Sequence, residues 1–80
     1  MKKARPLKLE DYETIGEYIR SHRIHLGKTQ EELASSAEVT ENTISLIESD
    51  HVKPSSPVLV RILRILRTWG APDLNIHRIK

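Results

Sequence analysis

Thr29 and Thr40 each open a short stretch with apolar residues at helical spacing, and the two stretches, "TQEELASSA" and "TENTISLIE", are separated only by Glu38 and Val39. A threonine before acidic residues is an N-cap signal. Its hydroxyl accepts a backbone N–H that the helix leaves unbonded, and first-turn carboxylates favour the positive end of the helix dipole. Glu32, three residues after Thr29, completes a capping box. A second helix is therefore expected from Gln30 to about Ala37, and a third over roughly residues 41–49. The small and apolar positions Leu33, Ala34, Ala37, Val39, Ile44 and Ile47 fit neither one long helix nor a strand, but they do fit two short helices around a tight turn.

The flanks supply more helix. Tyr12, Ile15, Ile19, His22 and Leu26 share one side of a helical wheel and Gly27 follows as a stop, which predicts a first helix over roughly residues 11–26. After the proline-containing loop "SDHVKPSSP", Val58, Leu59, Ile62, Leu63, Ile65 and Leu66 fill a broad apolar arc. Arg61, Arg64 and Arg67 lie opposite that arc and read as a solvated face. This fourth helix should run to about Trp69 and stop at Gly70 and Pro72. Residues 1–10, which include Pro6 and keep no period, read as an N-terminal arm, residues 11–69 as the folded domain, and residues 70–80 as a tail. In that tail "DLNIHRIK" is open between a strand and a helix, and the preceding "GAP" favours the strand.

The chain has 80 residues and no cysteine, so a thin single-domain core must hold it without disulfides or thiolate metal sites. Its net charge of +2 hides a segregation. Residues 1–28 carry seven cations and four anions, residues 29–60 one cation (Lys53) and six anions, and residues 61–80 five cations and one anion. No apolar run approaches the roughly 18 residues of a membrane span, and the basic start leads into charges rather than an apolar segment. A cytoplasmic protein with no membrane partner is expected. His22 and His25 have no third ligand nearby in sequence, so no metal is expected. No cofactor loop and no nucleophile with an adjacent base stands out, so an enzyme is not expected either.

Counting Gln30 as position one of a twenty-residue unit, Leu33, Ala34, Ala37, Val39, Ile44 and Ile47 take positions 4, 5, 8, 10, 15 and 18. This pattern resembles the helix-turn-helix of the XRE and lambdoid-repressor families. Position 5 must be small because two helices meet closely there, and the others fill the wedge between them and the first helix. The resemblance extends upstream through "IGEYIRSHRIHLGKTQEELA" and downstream through "ISLIESDHVKPS", covering residues 15–66. It implies an all-α, lambda-repressor-like domain of four or five elements, with a short C-terminal strand as one reading of the tail. Two positions depart from the family. Glu38 stands where glycine is usual and would need a positive φ, and Lys28 replaces an apolar residue.

The resemblance also implies a function. In the family the third helix enters the major groove of DNA, and its outward residues here are Thr40, Glu41, Asn42, Ser45, Leu46 and Ser49. Asn42 suits adenine N6 and N7, Glu41 suits cytosine N4, Leu46 suits a thymine methyl, and Ser45 is permissive. Phosphate contacts would come from Lys28, Gln30, Thr40, Thr43, Ser49 and Lys53, with Lys2, Lys3 and Arg5 of the arm reaching along a groove. The acidic residues cannot all face DNA, since like charge opposes binding. The family gives Glu48 other work, as the partner of an arginine of the first helix, here Arg23. The expected partners are a double-stranded operator and a second copy of the chain. The tail is similar to that of HipB-like antitoxins, which implies an autoregulating repressor and leaves a toxin open as a further partner. The rival reading is a module that keeps this fold and docks a protein instead of DNA.

Overall fold

The computed structural model describes residues 14–71, and in that span it contains four helices: α1 (Ile15–His25), α2 (Gln30–Ala37), α3 (Glu41–Glu48) and α4 (Ser56–Thr68). Among the described residues there is no strand, so the fold is all-α as expected. The arm, Tyr12 and the choice between strand and helix in the tail lie outside the described residues.

Every helix begins at a side-chain cap. The hydroxyls of Thr14, Thr29, Thr40 and Ser55 accept the backbone N–H groups of Glu17, Glu32, Thr43 and Val58 at 3.1, 3.0, 3.0 and 3.4 Å. The Thr29 capping box is complete, because the Thr29 backbone N–H donates to Glu32 Oε1 at 2.8 Å. Two boundaries differ from the sequence reading. Thr14 is extended, at φ −140° and ψ 161°, so α1 starts at Ile15 and not near residue 11. α4 starts at Ser56, inside the stretch read as loop, because Pro57 falls in the first turn, where its missing N–H costs nothing and its fixed φ suits the helix. Gly27, at φ 74°, closes α1 as a left-handed stop, and Lys28 N–H returns to the Arg23 carbonyl at 3.0 Å.

The core is one cluster drawn from all four helices. Ile19, Leu33, Ile44, Ile47, Ile62 and Leu66 are fully buried, with Tyr18, Ala34, Ala37 and Ala71 at its edges. Ala34, at 3% exposure, is buried on α2, the helix that packs on α3. The burial of Ala71 carries the folded unit past Trp69, and its N–H closes the end of α4 on the Leu66 carbonyl at 2.9 Å. Tyr18 is buried as well, beyond the face expected of α1, and its spacing from Ile15 and His22 fits the same stripe. Its ring packs on His22 with centroids 4.4 Å apart. Burial, and then the nearby His25, lower the pKa of His22 from its ordinary value and favour the neutral imidazole.

α1 meets the end of α3 at Gly16. A Cβ there would run into the Ile47 carbonyl oxygen and the Asp50 carboxylate. Only glycine allows this approach, and the closeness lets the Thr14 hydroxyl donate to Asp50 Oδ2 at 2.7 Å.

Candidate nucleic-acid interface

One face of α3 is committed to the fold. Ile44 and Ile47 are buried in the core, and Glu48, 5% exposed, forms a paired hydrogen bond with Arg23 of α1: Nε to Oε2 at 2.7 Å and Nη2 to Oε1 at 2.9 Å. Arg23 Nη1 also donates to the Lys28 carbonyl at 2.7 Å, tying the chain between α1 and α2 to the same group. The Glu48 hydrogen bond outweighs burial and holds the guanidinium more firmly protonated than usual. An ion pair this enclosed survives because both partners are bonded several times over.

The opposite face of α3 is open. At 100° per residue, Asn42, Ser45, Leu46 and Ser49 cluster around the direction opposite Ile44 and Ile47. Asn42 and Ser49 are exposed, and Ser45 and Leu46 are half-buried. Glu41 is exposed in the first turn of α3, toward the edge of this face, where its carboxylate meets the positive end of the helix dipole. Thr40 and Thr43 stand at the same end with their hydroxyls 2.8 Å apart.

The phosphate candidates do not all present free donors. Gln30 Nε2 donates to Glu48 Oε1 at 3.1 Å, so its amide joins the buried network while its backbone N–H stays at the start of α2. The Lys28 ammonium lies 5.0 Å from the centroid of the Trp69 ring. That position also puts it near Glu32, whose pKa is lowered first by the Thr29 backbone hydrogen bond and then by Lys28. Ser49 Oγ donates to the Leu46 carbonyl at 3.2 Å and lies 2.7 Å from Nδ1 of the exposed His51. Nothing in the spacing of the chain singled out His51. Lys53 is exposed in the following loop.

Two exposed carboxylates behave differently from each other. Glu38 is exposed, but its backbone is left-handed at φ 62° and ψ 41°, supplying the conformation the family's glycine would supply. Asp50 is also left-handed, at φ 64°, and its side chain holds Thr14. Arg61, Arg64 and Arg67 are exposed, as expected of a solvated face, and Arg61 in addition donates from Nε to the Ala37 carbonyl at the end of α2 at 3.0 Å. Among the described residues, no group of three or more His, Cys, Asp or Glu side chains could hold a metal, and no helix is long and apolar enough to cross a membrane.

Residues 19–68 match the family model described as Helix-turn-helix. A protein of Methanothermobacter thermautotrophicus named as an uncharacterized HTH-type transcriptional regulator is 48% identical over 58 residues, which cover 72% of this chain and 84% of that protein. No solved structure matches the chain.

Proposed function

Since the chain belongs to the XRE-like helix-turn-helix family, we propose that it is a DNA-binding transcriptional regulator that reads an operator with α3. The supporting observation is the division of α3 itself. Ile44, Ile47 and Glu48 lock one side to the core, which leaves Asn42 and Ser45 on the outward face, where Asn42 is exposed and bonds no other side chain among the described residues. A helix held this firmly presents its polar side chains at fixed positions, as discrimination between base edges requires.

In this reading Asn42 takes adenine, Glu41 takes cytosine N4, and Ser45 and Leu46 complete the base contacts. Thr40, Thr43, the backbone amides at the start of α2 and Lys53 serve the phosphates. Lys28, Gln30 and Ser49 reach phosphate only by giving up or sharing the contacts described above. The protein acts in the cytoplasm as a repressor, as a homodimer on half-sites about one helical turn apart. An antitoxin-like, autoregulating role with a toxin partner is the narrower form of the same reading, and it rests on residues 70–80.

The test is a fluorescence anisotropy titration against duplex from upstream of the protein's own gene, with a scrambled duplex as control, at two salt concentrations. Asn42→Ala should cost about 1–3 kcal/mol on the preferred duplex and little on the scrambled one. A salt dependence of about 0.9 log units per log salt for each phosphate contacted should accompany binding. A preference unchanged by Asn42→Ala would remove α3 from base reading. Equal, feeble binding to every duplex would favour docking of a protein, for which the exposed Glu31, Glu32, Glu38 and Glu41 supply an acidic surface.

A further inference from the structure

α4 holds α2 at both ends. Arg61 binds the carbonyl that ends α2, and Trp69 receives the Lys28 ammonium just before α2 begins. Eight positions separate Arg61 from Trp69 and nine separate Lys28 from Ala37. At about 1.5 Å per residue, eight positions of helix span about 12 Å, close to the length of α2 itself. The two helices therefore run antiparallel, with α4 bracing α2 from end to end.

The Arg61 contact falls on an informative peptide. The Ala37 carbonyl is one of the last four that α2 leaves without an intrahelical partner. The N–H of the same peptide unit, that of Glu38, donates to the Ser35 carbonyl at 3.2 Å. The Ala37–Glu38 plane is thus gripped on both edges, by α2 on one side and by a guanidinium of α4 on the other. That plane sets the direction in which the chain leaves α2, and the next residue holds a conformation that disfavours a side chain. Only Glu38, Val39 and Thr40 separate this plane from the first residue of α3.

We infer that Arg61 is a positioning residue for α3. By holding the Ala37–Glu38 peptide it keeps Glu38 left-handed, and it thereby sets the angle at which Asn42 and Ser45 are presented. The first step rests on geometry alone, and the consequence for base reading rests on the proposed function. A charge at position 61 is not enough, because the contact uses the planar Nε, which a lysine ammonium carried one atom further out does not reproduce.

Two measurements separate these steps. The first is amide hydrogen exchange on the free protein. Arg61→Met should speed exchange at Glu38, Val39 and Ile44 at least tenfold more than at Leu26, the amide that caps α1. An even rise across all four, or none, would overturn the anchoring role. The second compares affinity for the duplex best enriched from a randomised library with affinity for a scrambled duplex. Arg61→Met and Arg61→Lys should both lower this ratio about tenfold without changing its salt dependence, and adding Glu38→Gly should restore it, because glycine adopts the turn unaided. A ratio held by lysine, with the salt slope reduced only in the methionine variant, would make Arg61 a phosphate contact and overturn the inference. If the wild-type protein enriches no duplex, the DNA reading itself fails, and the exchange pattern alone then decides the anchoring of α3.

Discussion

The junctions on either side of α3 meet the same backbone demand by opposite means. Before α3 the left-handed residue is Glu38, whose side chain is exposed, and the turn is held through its backbone by Arg61. After α3 the left-handed residue is Asp50, whose carboxylate bonds Thr14 and packs over Gly16. Aspartate tolerates this conformation better than glutamate does, and here it also links two helices. A non-glycine residue at positive φ is thus strain to be held down at one junction and a structural bond at the other.

Mutations can break or sharpen this contrast. The largest effect should come from Glu48→Ala at the second junction, which leaves Arg23 buried without its partner and should cost about 3–5 kcal/mol in urea unfolding. If the loss is below about 1 kcal/mol, the pair does not anchor that junction. Gly16→Ala comes next, since its Cβ must push the end of α3 away from α1. A loss of about 1–3 kcal/mol is expected, together with disturbed NMR shifts at Asp50 and Thr14. At the first junction Glu38→Gly should stabilise by about 1 kcal/mol, whereas Asp50→Gly should gain nothing, because a hydrogen bond worth about 1 kcal/mol is lost with the strain. Equal gains in thermal unfolding at both sites would erase the distinction.

A pH series reports on α1, which the second junction shares. His22 has a lowered pKa in the folded chain, so unfolding takes up a proton that the fold refuses. Its contribution is complete above about 6.5, the ordinary histidine value, and is lost as pH falls below it. The urea midpoint should therefore drop between pH 7 and pH 5, and His22→Leu should flatten that drop. An unchanged slope in the variant would assign the acid sensitivity elsewhere.

Local features were legible in the chain because their causes lie within a few residues. Thr29 with Glu32, and Thr40 before Glu41, mark the starts of α2 and α3 to the residue, and Gly27 marks the stop of α1. Pro57 is ambiguous in the sequence because proline signals both a break and a first turn, and its neighbours alone do not decide between them. The polar face of α3 and the start of α2 could be set out by spacing, yet the availability of their donors could not. Ser49 bonds His51 two residues away, and Gln30 turns inward to a carboxylate eighteen residues on.

The sequence by itself determined four helices, two of them with their caps at Thr29 and Thr40, the apolar stripes that join them and the outward face of α3, because helical period and capping are properties of short segments. Tertiary structure decided the rest. It brought Arg61 to the Ala37 carbonyl, made Gly16 the place where α1 and α3 touch, and set Lys28 over Trp69. Each of these pairs residues at least twenty positions apart, and no periodicity encodes which distant group a donor or a missing Cβ will meet once the helices pack.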